Sequence, residues 1–237
     1  MYKIFKYHPL PLLLLLLPIL MVAQPVKILP LGNSITQSND VYKSYRYPLW
    51  TKLINDELDF DYVGSLTSHH GGTPVFPTYN GETFDQDHEG HWGWRCDQII
   101  NSLPNWLPGY TADIALIHLG TNDLYQGTGS AINIAETIDE LEAIITLLRN
   151  DNPDVIILLA TLIPSTNALL VNKIPNFNAS VPQIAVDMYD PNSPVVIVDQ
   201  FEGFDAASDT YDGVHPNETG EEKMAQKWRD AIIDALP

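Results

Sequence analysis

Short apolar runs alternate with longer amphipathic stretches along most of the chain. Five runs predict strands, because β-branched, leucine and aromatic residues dominate them and each has the length of a strand. Nearly continuous apolar character is typical of strands buried on both faces of a parallel sheet. The predicted strands are 26–31, 60–63, 113–119, 155–160 and 195–198.

Helical patterns lie between these runs. In the clearest one, apolar residues recur three or four positions apart; they are Ile134, Ile138, Leu141, Ile145 and Leu148. Further helices are predicted at 48–58, at 97–107 with a break at Pro104, and at 169–188 with interruptions near Pro175 and Pro182. A last helix follows Asn217, and its predicted core residues are Met224, Ala225, Trp228, Ile232 and Leu236.

This alternation predicts an α/β fold, a three-layer α/β/α sandwich whose five-stranded parallel sheet has flavodoxin-like strand order. In such sheets the functional site lies beyond the carboxyl ends of the strands. Ser34 follows the first strand and Asn122 follows the third, so both are placed where a site is expected. The Gly-, Pro- and His-rich stretch 64–90 is too long for an ordinary connection, and we interpret it as a functional loop.

The first 23 residues have the pattern of a secretory signal peptide. Lys3 and Lys6 give a basic start, residues 10–22 are almost wholly apolar, and Ala23 is a small residue suited to cleavage. An uncleaved anchor is the alternative, although the apolar run is short for a membrane span. We therefore expect a secreted protein, extracellular or periplasmic, in which residues 24–237 form a single domain.

Charge and cysteine content narrow the classes of partner. Loss of Lys3 and Lys6 from a chain of formal net charge −18 leaves −20, which disfavours nucleic acid and anionic membrane surfaces. A neutral substrate is compatible with this charge, which also serves solubility. Cys96 is the only cysteine, so no internal disulfide can form, and we expect a packed thiol rather than a reactive one.

Ser34, Asp212 and His215 are the candidate catalytic residues. A hydroxyl nucleophile needs a base, and the base needs a carboxylate that fixes its tautomer. Asp212 and His215 are three residues apart, whereas only the fold can bring Ser34 to them. Each has a simpler alternative, because Ser34 could be a turn or N-cap serine and Asp-x-x-His is common at helix ends.

Backbone and side-chain amides could stabilise an oxyanion at the same place. The candidates are the N–H groups of Ser34 and Gly93 and the side-chain amide of Asn122. Asn122 could instead form an Asx-turn, and we expect Asp123 to brace its loop rather than to react.

Candidate substrate-binding residues surround Gly93. Trp92 and Trp94 could stack on sugar rings, and Arg95 could hold a substrate hydroxyl or its own loop. One of the two tryptophans is expected to belong to the core instead.

Metal sites are weaker candidates. Asp85, Asp87 and Glu89 alternate as calcium ligands could, but the loop lacks the features of an EF-hand and is expected to be solvated. His69 and His70 have no partners at ligand spacing, so we expect no metal and no cofactor.

The chain resembles the SGNH hydrolases, also called GDSL esterases, in the order of four sequence blocks. They are residues 32–36 (Gly-Asn-Ser-Ile-Thr), the glycine block around Gly93, residues 120–123 (Gly-Thr-Asn-Asp) and residues 212–216 (Asp-Gly-Val-His-Pro). The resemblance covers nearly all of the chain after the signal peptide, and it implies one catalytic domain at 24–237. The four diagnostic residues of the family fall on Ser34, Gly93, Asn122 and His215.

One position departs from the family pattern, because Asn33 stands where the family usually has Asp. Residues 89–95 further resemble carbohydrate esterase family 3, whose members remove acetyl groups from xylan. The resemblance implies a secreted serine esterase that, as a monomer and without cofactor, deacetylates a plant polysaccharide or oligosaccharide. The alternatives are a lipase, lysophospholipase or thioesterase of the same superfamily, and a non-catalytic secreted carbohydrate-binding protein.

Overall fold

The computed structural model of the protein describes residue 3 and residues 24–236. The predicted signal peptide, residues 1–23, lies outside the described residues apart from Lys3, so export stays a prediction. Within residues 24–236, no helix is both long and apolar enough to span a membrane.

A parallel sheet forms the centre of the fold. Its strands are β1 (Val26–Gly32), β2 (Phe60–Tyr62), β3 (Glu89–Gly90), β4 (Ile114–His118), β5 (Ile156–Ala160) and β6 (Val195–Val198). The strand order is β2-β1-β4-β5-β6, and β3 pairs with the last two residues of β1. The α/β class and the flavodoxin-like order are therefore confirmed, with the two-residue β3 as an unpredicted addition.

Nine helices are found within the described residues: α1 (Ser34–Gln37), α2 (Arg46–Asn55), α3 (Cys96–Trp106), α4 (Thr121–Gln126), α5 (Ala131–Asp151), α6 (Ile174–Asn178), α7 (Val181–Asp187), α8 (Ala206–Asp209) and α9 (Glu218–Ala235). A 3₁₀ turn, Leu107–Gly109, follows α3.

The two faces of the sheet support separate apolar cores, which completes the three layers. Leu29 and Leu31 of β1 belong to one core together with residues of α3, α5, α6 and α7. Ile28 belongs to the other core, with residues of α2 and α9. Side chains alternate between the faces of a strand, so a continuous apolar run supplies both cores at once.

The prolines interrupt one of the two predicted helices and leave the other continuous. Pro175 and Pro182 lie in the first turns of α6 and α7, where the missing N–H costs no helical hydrogen bond. The predicted helix at 169–188 is therefore two short helices, each with a proline as its second residue, and the predicted interruption is confirmed. Pro104 lies inside α3 and does not break it, and the buried Leu103 and Leu107 on either side hold this segment against the core.

Candidate active site

The carboxyl ends of β1 and β4 carry the two loops on which the site is built. Gly32 and His118 are paired residues at these ends. Ser34 is the first residue of α1, and the Asn33 side chain caps this helix by accepting a hydrogen bond from the Ile35 N–H at 3.0 Å. The strand-to-helix turn needs glycine at 32, because an added Cβ would lie 2.1 Å from Thr36 Oγ1.

Ser34, His215 and Asp212 form a continuous hydrogen-bonded series. His215 Nε2 lies 2.9 Å from Ser34 Oγ, and His215 Nδ1 lies 2.7 Å from Asp212 Oδ2. A carboxylate only accepts hydrogen bonds, so Nδ1 donates to Asp212 and Nε2 is left to accept the Ser34 proton. This is the arrangement that a serine nucleophile requires.

The backbone around Asp212 holds the carboxylate ionised. Asp212 Oδ1 accepts from the N–H groups of Val214 at 3.0 Å and His215 at 2.8 Å. Burial opposes ionisation, but the hydrogen bonds from the His215 backbone and ring hold the pKa of Asp212 below its ordinary value. A charged partner for the His215 ring is thus available at neutral pH.

The loop that carries His215 is tied to its surroundings at both ends. Before it, the carbonyl of Gly213 accepts from the Thr166 N–H at 3.0 Å and from Ser165 Oγ at 2.5 Å. After it, the Asn217 side chain caps α9 by accepting from Thr219 N and Gly220 N. The last helix therefore begins where the sequence predicts, and it fixes the position of His215.

Asn122 lies in the first turn of α4 and lines the same cavity as Ser34. Its Nδ2 donates to the Trp94 carbonyl at 2.8 Å, and one hydrogen of the amide remains for another acceptor. Gln126 Nε2 donates to the Gly93 carbonyl at 3.2 Å. These bonds join α4 to the Gly93 loop, so both oxyanion candidates beyond Ser34 belong to one connected structure.

A small cavity opens between these elements. Its volume is about 190 Å³. It brings Ser34, Asn122, Asp212 and His215 together with residues that sequence reasoning missed, and its full lining is Ser34, Thr121, Asn122, Tyr125, Asn167, Leu170, Asp212, Val214 and His215. Tyr125 lies three residues after Asn122, and Val214 lies next to His215. Asn167 and Leu170 lie in an irregular segment that contains no motif typical of a functional site.

The predicted substrate-binding residues separate in the structure. The Trp92 ring stacks on His215 with centroids 4.9 Å apart. Trp94 packs against the core and stacks on His91, so it is the core tryptophan of the pair. Arg95 donates to Gln126 Oε1 at 2.6 Å and Asp97 Oδ2 at 3.0 Å, and it lines a different cavity from Ser34.

The acidic loop is less solvated than expected. Glu89 is fully buried, and its carboxylate accepts from Ser65, Tyr110 and His91. Asp85 accepts from the Tyr62 N–H at 2.7 Å. Buried carboxylates are retained where several donors satisfy them, so this loop is an internal brace for β2 and β3.

A cluster of acids lies behind Asn122. Asp123 accepts from the Cys96 N–H at 3.0 Å, as expected of a brace, and Cys96 is fully buried. Cys96 Sγ and one carboxylate oxygen each of Asp123 and Glu140 lie within 4.8 Å of one another. Burial, with the nearby Asp123 and Asp97, raises the pKa of Glu140 to about 7, so a proton can occupy this cluster at neutral pH.

The fold and the site define a carboxylic ester hydrolase domain of the SGNH type. The chain belongs to the GDSL-like lipase/acylhydrolase family, whose model matches residues 31–223. It is 28% identical over 231 residues to a multidomain esterase of Ruminococcus flavefaciens. That match covers 89% of this chain, which spans 29% of the relative's length.

Two solved structures of carbohydrate esterase family 3 share the fold, which confirms the resemblance. One, from Talaromyces cellulolyticus, superposes with a TM-score of 0.75 at 28% identity, covering 88% of this chain and 97% of that one. The other, from Clostridium thermocellum, has a TM-score of 0.69 at 30% identity, covering 89% of this chain and 96% of that one.

Proposed function

We propose that residues 24–237 form one secreted catalytic domain that hydrolyses short acyl esters, with acetyl groups on a plant polysaccharide such as xylan as the substrate. The observation that carries the proposal is the series Ser34–His215–Asp212, joined at 2.9 and 2.7 Å and open to a small cavity. Family membership and the family 3 structures support the same chemistry.

The proposed reaction begins when Ser34 Oγ attacks the ester carbonyl carbon and its proton passes to His215 Nε2. The N–H groups of Ser34 and Gly93 and the Asn122 amide stabilise the resulting oxyanion. The carbon–oxygen bond to the alcohol then breaks, and His215 returns the proton to the leaving oxygen. Water repeats these steps on the acyl-enzyme and releases the acid and Ser34.

The size and lining of the cavity favour a short acyl group. A volume of about 190 Å³ is below the range of roughly 300–1,000 Å³ of pockets that enclose drug-sized ligands. Leu170 and Val214 supply apolar surface beside Ser34, which suits a methyl group next to the carbonyl. A long-chain lipase would need a longer apolar groove.

The first experiment replaces the nucleophile. Ser34→Ala is expected to reduce kcat for p-nitrophenyl acetate by about 10³-fold or more. The matched control is Ser68→Ala, because Ser68 is exposed and does not line the Ser34 cavity; its activity should equal the wild type. Unchanged hydrolysis in Ser34→Ala would rule out this mechanism.

The second experiment addresses the substrate. Rates on p-nitrophenyl esters from acetyl to octanoyl should fall with chain length, and acetate release should be faster from acetylated xylan than from acetylated pectin or chitin. A maximum at octanoyl would instead favour a lipase. Hydrolysis of small esters without acetate release from any polymer would restrict the proposal to free short esters.

A further inference from the structure

We propose that Trp92 and Tyr211 are positioning residues for His215, an inference that rests on the proposed esterase reaction. Both rings lie parallel to the imidazole. The Trp92 centroid is 4.9 Å from that of His215 with planes 13° apart, and the Tyr211 centroid is 5.6 Å away with planes 12° apart. The N–H group and the lone pair of a neutral imidazole point outward in the ring plane, so rings parallel to it fix the plane without competing for either nitrogen.

The stacked rings also act on the charge that appears during the reaction. When Ser34 Oγ bonds to the carbonyl carbon, its proton moves to His215 Nε2 and the imidazole becomes a cation. The face of an indole or phenol ring attracts a cation within about 6 Å of its centroid, and both rings meet this distance. An interaction that is stronger in the transition state than in the ground state raises kcat rather than lowering KM.

Trp92 is held in place by the segment that carries Ser34. Its backbone N–H donates to Gln37 Oε1 at 2.9 Å, and Gln37 is the last residue of α1. The Trp92 ring also stacks on His70, with centroids 4.3 Å apart and planes 16° apart. His70 in turn donates its N–H to the Ser38 carbonyl at 3.0 Å. Nucleophile and stacking ring are therefore fixed to the same short helix.

Tyr211 is held in a similar way. Its hydroxyl accepts from Asn39 Nδ2 at 3.1 Å, and its ring stacks on Tyr42 with centroids 4.5 Å apart and planes 3° apart. Its backbone N–H donates to the His215 carbonyl at 3.0 Å. The rings of His70, Trp92, His215, Tyr211 and Tyr42 thus form one parallel set, which we call the ring column.

The ring column changes the expected role of Trp92. The sequence predicts a platform for a sugar ring, yet the Trp92 indole is stacked with both His70 and His215. A sugar platform should matter only for carbohydrate substrates and should act on KM. A positioning residue should matter for every ester and should act on kcat.

The test compares p-nitrophenyl acetate with acetylated xylan in four variants. Trp92→Leu and Tyr211→Leu should each lower kcat about tenfold on both substrates, with KM changed less than twofold. Trp92→Phe and Tyr211→Phe keep a ring and should recover most of that loss. The matched control is Trp106→Leu. Trp106 also stacks on a histidine, His91, with centroids 4.4 Å apart and planes 6° apart, but it does not line the Ser34 cavity. The kcat of this variant should stay at the wild-type value.

Each alternative result is distinguishable. An unchanged kcat on p-nitrophenyl acetate with a raised KM on xylan would overturn the inference and restore the sugar platform. Equal losses in Trp92→Leu and Trp92→Phe would also overturn it, because a phenyl ring should still stack. If a leucine variant does not fold, the corresponding phenylalanine variant and the other position decide. Wild-type protein without Ser34-dependent hydrolysis would instead overturn the proposed function.

Discussion

In the proposed mechanism, the side chains around Ser34 divide into those that react and those that hold the reacting groups. Asn33 belongs to the second kind, because it is fully buried and its Oδ1 caps the helix that begins with Ser34. Asn and Asp serve almost equally well as N-caps. The departure from the family pattern at this position therefore preserves the turn on which the nucleophile depends.

Asn122 touches the reacting atoms without reacting itself in this mechanism, because its amide donates to the oxyanion, and its replacement tests that role. We expect Asn122→Ala to lower kcat about 10²- to 10³-fold, because one donor to the oxyanion is lost. The KM for p-nitrophenyl acetate should change little. Steady-state kinetics on purified variants would measure both quantities.

Gln126→Ala provides the control for this prediction. Gln126 also ties α4 to the Gly93 loop, through its bond to the Gly93 carbonyl, but it does not line the Ser34 cavity. We expect its kcat to stay within a few-fold of the wild type. Equal losses in the two variants would show that Asn122 acts only by holding the loop.

At the scale of elements, the long helices and apolar strands were predictable and the short helices were not. α5 was predicted from its repeated apolar positions, whereas α1 and α4 have four and six residues, too few for periodicity to be visible. These two short helices carry Ser34 and Asn122. The motifs located these proposed functional residues, but the helical turns that present them depend on contacts with the sheet.

Gly120, which precedes α4, is a point where backbone conformation controls the site. Its φ is +116°, and an added Cβ would lie 2.9 Å from the Phe177 ring. We expect Gly120→Ala to lower the free energy of unfolding by about 1–3 kcal/mol and to lower kcat, because Asn122 would shift. Urea denaturation and ester hydrolysis would measure the two effects.

Gly109→Ala is the matched substitution for comparison. A Cβ there would meet nothing within 4 Å, and Gly109 has no positive φ. Its stability and its kcat should stay near the wild-type values. If Gly120→Ala behaved like Gly109→Ala, the backbone at Gly120 would have no special role in placing α4.

At the scale of the whole molecule, the parallel sheet explains why distant motifs could be combined from sequence. Carboxyl ends of parallel strands meet at one edge, so Ser34 after β1 and Asn122 after β4 had to be neighbours once strand order was known. The direction in which each side chain points could not be predicted from the sequence in this way. Arg95 follows Trp94 by one residue, yet its guanidinium binds Asp97 in a second cavity that Asp123 and Glu140 also line, which we call the acidic cavity. Tertiary packing sets this orientation.

That acidic cavity makes stability depend on pH. Burial first, and then Asp123 and Asp97, raise the pKa of Glu140 from 4.5 to about 7, so the folded state holds this proton more tightly than the unfolded state. The resulting contribution to stability is fully present below about pH 4.5 and is lost as pH rises through about 7. Burial lowers the pKa of His118 from 6.5 to about 4, which acts in the opposite direction because acid then favours the unfolded state.

Glu140→Gln should therefore change the pH dependence of Tm rather than shift Tm uniformly. A neutral amide cannot ionise, so the variant should gain stability relative to the wild type at pH 8 and lose that advantage at pH 5. Asp139→Asn is the comparison for the loss of one negative charge, because Asp139 is exposed on the same helix and does not line this cavity. A constant Tm difference between Glu140→Gln and the wild type at pH 5 and 8 would mean that Glu140 titrates alike in folded and unfolded chains, and that the cluster behind Asn122 holds no proton at neutral pH.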